Sequence, residues 1–264
     1  MTIPAIRSEV LRLRRRTFHL GLLLFVAIAA LGSLVALPNA SDVPPDGPNP
    51  GGAFVTLADV AASDGFASGL HFVGSMLGIV ALAYWAISSA QDHSSGLIRL
   101  LVQAEPRRWP LLGGKVVALS AWTLVGTLLA TISASAVALV VEVGLEVDTA
   151  AWADAPVTAF LSSWIELSLP ILTWGAIGLA LAELTRSQAA AIATGVAYLL
   201  LGENVLLTAT DGAFTHLPGQ VLSAVSQGGT TDVPLGRGLS LTATYASVAV
   251  LLATIRLVRT DVTD

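Results

Sequence analysis

The sequence predicts an all-α integral membrane protein with six transmembrane helices, and three observations predict it. The chain is 54% hydrophobic and 12% charged, where an ordinary soluble domain is about 25% charged. Its mean hydropathy over 264 residues is +0.77, a value at odds with a surface wetted on all sides. Windows of about 20 apolar residues, enough to cross a hydrocarbon core of ~30 Å, fall at 17–37, 66–90, 116–141, 158–183, 188–209 and 239–257.

The basic residues orient these spans. If the N-terminus lies on side one, that side carries Arg7, Arg12, Arg14, Arg15, Arg16, Arg99, Arg107, Arg108, Lys115, Arg186, Arg256 and Arg259. The other side carries only Arg237, so 12 of the 13 basic residues share one face. The positive-inside rule makes that face cytoplasmic, with both termini inside. Residues 1–264 then read as a single transmembrane domain.

Taken in order, IPAIRSEVLRLRRR spaces Ile3, Ile6, Val10 and Leu13 along one helical face and fills the rest with arginine. This is the pattern of an amphipathic helix on the inner leaflet, with Arg12, Arg14, Arg15 and Arg16 drawn to anionic lipid. A plain topology signal is the simpler alternative. The run 17–37 is long enough to span and is followed by no A-x-A-type cleavage site, so it is expected to stay. The stretch 38–65 is rich in Pro, Gly, Asn and Asp (LPNASDVPPDGPNPGG) and is expected to be an irregular external loop.

Residues 94–115, SSGLIRLLVQAEPRRWPLLGGK, interrupt the apolar pattern. Ser94 and Ser95 are candidate caps for a short helix bearing Leu97, Ile98, Arg99, Leu101 and Val102. Pro106 and Pro110 are expected to break it, with Arg107 and Arg108 between them forming a basic hinge into span three. In the apolar runs, Ser75, Ser120, Thr123, Thr127, Thr131, Ser133 and Ser135, with Gly74, Gly78 and Gly126, are the small residues that let helices pack closely.

Glu166 in span four and Glu203 in span five are intramembrane acids with no basic residue at their depth. At ~1.5 Å per residue they lie roughly 12 Å and 9 Å from the external ends. Carboxylates at such depth face a polar cavity, take backbone donors, or are protonated. Two roles stay open: lining a pathway or external gate, and anchoring the free backbone ends of a neighbouring short helix. Pro170, four residues after Glu166, is expected to kink span four and free a carbonyl. Between spans five and six, HLPGQVLSAVSQGG is expected to form a helix of about ten residues. Pro218 suits its first turn and Gly228-Gly229 its end. Such a helix is too short to span and is expected to be re-entrant or interfacial on the outer side.

Several chemistries lack their residues. No cysteine is present, which excludes disulfides and thiolate metal sites. Gly114-Lys115 is followed by Val116 where a phosphate-cradling loop needs serine or threonine. His19, His71, His93 and His216 are scattered, with no H-E-x-x-H spacing, and no G-x-S-x-G elbow occurs. The expectation is a chain with no catalytic site, no bound cofactor or metal, and no nucleic-acid partner.

SSGLIRLLVQAEPRRWPLLGGK, GAIGLALAELTRSQAAAIATGVAYLLLGEN (175–204), HLPGQVLSAVSQGG and the terminal IRLVRTDV resemble, in that order, segments of permease subunits of the ABC-2 class of ATP-binding-cassette transporters. Glu203 falls where many such permeases carry an acid. The resemblance implies two permease subunits, identical or paralogous, and a separately encoded ATPase that binds ATP and Mg²⁺. It implies export, and it makes the helix near Ser95–Val102 the coupling element docked on that ATPase. Leu97, Ile98, Leu101 and Val102 would supply apolar contact, and Arg99, Arg107 and Arg108 ion pairs. The external stretch 38–65 departs from any pattern assigned to that family. Two readings stand against this one: an ion-coupled secondary transporter, which favours internal repeats and acids near the midplane, and a non-transporting membrane scaffold or assembly protein.

Overall fold

A computed structural model describes residues 16–42, 54–94, 108–209 and 216–259. Among them only helices, turns and short connections occur. The long helices are α1 (Arg16–Ala36), α4 (Gly74–Ser94), α5 (Arg108–Val141), α6 (Pro156–Thr185) and α10 (Leu235–Arg259). The short ones are α2 (Leu57–Ala61), α3 (Ser68–Phe72), α7 (Gln188–Ala197), α8 (Glu203–Ala209) and α9 (Pro218–Ser226). A π-helical turn, Tyr198–Gly202, joins α7 to α8 without a break. Among the described residues, five helical stretches are long and apolar enough to cross a membrane, and six if the bent pair α3–α4 counts as one span. The chain is a multi-pass membrane protein.

Side-chain chemistry explains where the elements start and stop. Pro156 and Pro218 open α6 and α9, where a missing N–H costs nothing. Between α6 and α7 the turn is tight: Arg186 takes a left-handed φ of 54°, and the Ser187 hydroxyl accepts from Ala190 N at 3.3 Å. That cap starts the next helix at once and folds it back antiparallel.

The bundle centres on α4 against α6. A Cβ at Gly178 would stand 2.2 Å from the Leu82 carbonyl oxygen, so the two backbones touch. Around that contact the indoles interlock, Trp85 of α4 lying over Gly175 and Trp174 of α6 over Gly78. Helix α5 joins through small polar residues. Trp85 Nε1 donates to Thr123 Oγ1 at 2.9 Å, the Thr127 and Ser168 hydroxyls pair at 2.7 Å, and Ser133 Oγ donates to the Val26 carbonyl of α1 at 3.2 Å. In hydrocarbon such bonds contribute about 0.6 kcal/mol each on average. Their close range lets Trp122 stack on Tyr84 at 3.8 Å between centroids, with Phe25 edge-on at 5.5 Å. The apolar excess goes outward: Val117, Val125, Ile132 and Leu139 form one exposed stripe on α5, and Leu20, Leu23, Leu31 and Leu34 another on α1. That distribution fits lipid rather than water as the solvent.

Three expectations need correction. Span two is not one straight helix. It bends by 52° where Phe72 gives way to Gly74, because α3 packs against α1 while α4 packs against α6. No straight rod serves both partners, and the bend sits where the partner changes. Second, the loop at 38–65 is folded over 54–64. Thr56 and Asp59 form a reciprocal capping box for α2, and Val55 and Val60 are buried with Phe66 and Trp152. Trp152 Nε1 donates to the Val60 carbonyl at 2.8 Å, tying this cap to the 3₁₀ turn Ala150–Ala153 between α5 and α6. Third, Pro110 does not break the chain, since it falls in the first turn of α5, where proline is tolerated. Helix α6 runs as one 30-residue stretch through Pro170. Proline there still removes the amide that would have bonded the Glu166 carbonyl.

Candidate functional site

The two intramembrane glutamates flank the same short helix. α9 leaves its first amides without intrahelical acceptors. Pro218 has no N–H, and Val221 N already reaches the Leu217 carbonyl at 3.0 Å. That leaves Gly219 and Gln220. Glu203 takes both, Oε1 accepting from Gly219 N at 2.5 Å and Oε2 from Gln220 N at 3.1 Å. The carboxylate is 3% exposed, so its charge is met by the two amides and by the positive end of α9. Tyr198, in the π-helical turn one step before α8, adds a side-chain hydrogen bond to Glu203. The wider π turn sets both side chains on the face toward α9. Such turns inside helices often mark functional positions.

Glycine at 219 is what permits the contact. A Cβ there would lie 2.4 Å from Glu203 Oε2. At its far end α9 stops in two left-handed glycines, Gly228 and Gly229, with φ of 75° and 103°. Glu166 stands half-buried at that end, its Oε2 facing Gly228. The acids thus bracket α9: Glu203 anchors its start, and Glu166 sits beside its exit.

Beneath α9 is a cavity of about 40 Å³ lined by Ser75, Trp174, Glu203, Gln220 and Ser223, among others. That is room for a few waters and far below the ~300 Å³ of an ordinary small-molecule pocket. In this conformation the arrangement is a polar contact between α9 and the bundle with room for little more than water. A larger cavity of about 180 Å³ lies under the folded cap, lined by Phe54, Asp59, Asp64, His71, Phe72 and Gln227 among others. His71 Nε2 is buried without a hydrogen-bond partner among the described residues. No cluster of three His, Asp or Glu with metal-binding geometry occurs among them.

At the opposite end, three ionisable groups whose grouping the sequence does not reveal are buried inside the bundle. Lys115 Nζ of α5 is paired with Asp92 Oδ2 of α4 and donates to the Ser88 carbonyl at 3.0 Å. Ser89 Oγ donates to Glu183 Oε1 of α6. Lys115, Asp92 and Glu183 are 6%, 2% and 4% exposed. Lys115 is therefore a buried partner rather than an open basic group. The sequence offers no local signal for this burial, because Lys115 stands just before the predicted span and reads with the other basic residues of that face. The nearest acid before it is Glu105, which lies outside the described residues, and the next is Asp92.

Of the other predicted site residues, Leu97, Ile98, Arg99, Leu101, Val102 and Arg107 lie outside the described residues, as do Arg12, Arg14 and Arg15. Arg108 opens α5 and Arg16 opens α1. No protein-family model matches the chain, and no curated protein matches it.

Proposed function

We propose that the chain is the membrane-spanning permease subunit of an ABC-2-type ATP-driven exporter. A separate ATPase subunit supplies ATP and Mg²⁺ chemistry, and a second permease subunit, identical or paralogous, completes the complex in the cytoplasmic membrane. Both termini face the cytoplasm, and the helix at Ser95–Val102 is the coupling element, carrying the ATPase stroke to α4 and α5. The observation that carries this reading is the order of the elements along the chain. A basic segment leads into a long third span. A tight turn follows between α6 and α7. A short helix, α9, is folded back and anchored by a buried acid just before the last span. The resemblance in segments 94–115, 175–204 and 216–229 supports the same order.

The test is co-expression of the tagged chain with candidate ATP-binding-cassette ATPase subunits from the same genome, followed by reconstitution. The reading expects a stable complex whose ATP turnover depends on the permease. Leu97→Asp with Leu101→Asp should abolish that turnover. Turnover that survived both substitutions with assembly intact would refute the coupling role. Ion-driven transport by the chain alone would favour a secondary transporter, and failure to bind any ATPase or move any compound would favour a scaffold.

A further inference from the structure

The buried charges at the basic end of the bundle have a use that the anchoring of α9 does not touch. Asp92 and Lys115 are 23 positions apart, and they stand just inside the two helices that flank residues 95–107. Their ion pair ties those two helix ends together, and the Lys115 bond to the Ser88 carbonyl makes the tie two-pronged. One turn along α4, Ser89 carries the link to Glu183, two residues before α6 ends. Three helices are thus joined by side-chain bonds at one level, in a layer from which water is largely excluded. There an ion pair is screened little, and removing one partner strands the other.

We propose that Asp92–Lys115, extended by Ser89–Glu183, is a clamp that makes α4, α5 and α6 move as one body when the 95–107 segment is pushed. The proposal rests on the permease reading for the source of the push, but not for the existence of the clamp. Asp92, Lys115, Ser89 and Glu183 are positioning residues; none needs to touch the transported compound.

Because the chain has no cysteine, Gln91→Cys and Gly113→Cys create two unique spin-label sites at the clamped helix ends. Both positions are exposed, and a Cβ at Gly113 meets nothing within 4 Å. Distances between the labels are measured by pulsed EPR on the full chain in nanodiscs, alone and with its ATPase, without nucleotide and with ATP. A clamp gives one narrow distribution in every state. Asp92→Leu with Lys115→Met replaces both charges by apolar groups, a change that buried pairs often tolerate in folding. It should leave assembly intact and broaden the distribution. In the reconstituted complex, the same double variant should lower transport per ATP hydrolysed by at least about fivefold, the low end of coupling between distant sites. Asp92→Lys with Lys115→Asp should bring the ratio back toward wild type, which a loss of packing alone would not. A distribution that stays narrow in the folded double variant overturns the clamp, whether or not an ATPase binds. A narrow distribution that broadens as expected in a chain that binds no ATPase upholds the clamp and refutes the permease reading alone.

Discussion

Glu203→Ala is the most informative single perturbation. The wild-type carboxylate accepts two backbone donors at 2.5 and 3.1 Å while 3% exposed. Hydrogen bonds to a charged acceptor contribute about 1.5–3 kcal/mol each, and losing this one group orphans two amides together. The cavity of about 40 Å³ beside it admits water, which would restore part of the loss. A net cost of about 3 kcal/mol results, and at 1.4 kcal/mol per decade this raises local opening of α9 about 100-fold. Glu203→Gln keeps one acceptor and loses the charge, so about 1 kcal/mol and a roughly fivefold change are expected. The assay is amide hydrogen exchange in nanodiscs, which reports local opening free energies directly. Protection at Val221, Leu222 and Val225, all buried in α9, should fall about 100-fold, while α5 and α6 stay protected. Exchange in α9 within about threefold of wild type would show that the carboxylate does not anchor the helix and would refute the reasoning.

Three further outcomes are expected. Gly219→Ala puts a methyl 2.4 Å from Glu203 Oε2, so it should loosen α9 by about 1–3 kcal/mol. Combined with Glu203→Ala it should cost little beyond the single change, because both break one contact. At Gly178 a leucine must enter where the Leu82 carbonyl stands 2.2 Å from Cβ, so α4 and α6 separate. Size-exclusion profiles of Gly178→Leu should show loss of the monodisperse species. Trp152→Phe keeps the ring beside Phe66 but removes the 2.8 Å bond to the Val60 carbonyl. A loss of about 1 kcal/mol is expected, seen as a Tm lower by about 2–4 °C.

How far each feature is legible depends on how local its cause is. The short helix before the last span is readable to within a residue, because Pro218 and the Gly228-Gly229 pair act on their own backbone. The elements that read wrongly are those whose cause lies on another segment. Proline and aspartate at 38–65 suggest an irregular loop, yet Val55 and Val60 find an apolar partner in Trp152, about ninety residues later. Span two reads as continuous because its own residues favour a continuous helix. It bends because α1 and α6 take different parts of it.

The candidate site divides the same way. An acid at membrane depth demands a partner on solvation grounds alone, and that singles out Glu203 and Glu166 from sequence. Which donors answer the demand is a matter of approach: Glu203 meets α9 only because Gly219 carries no side chain, while Glu166 faces the other end of that helix. Lys115 reads as one more basic group at the cytoplasmic face, and nothing local tells it from Arg107 or Arg108. Its burial appears only once α4 and α6 close around α5.

By itself the sequence determined that the chain crosses a membrane several times as helices. Apolar length and the need to satisfy every backbone group internally leave no other solution. It also determined where α9 begins and ends, because Pro218 and Gly228-Gly229 act on their own backbone. Only the tertiary structure decided the bend in span two, the folded cap over 54–64, the anchoring of α9 and the Asp92–Lys115 pair. Each depends on two segments far apart in sequence meeting at a distance of a few ångströms, and periodicity carries no information about that distance.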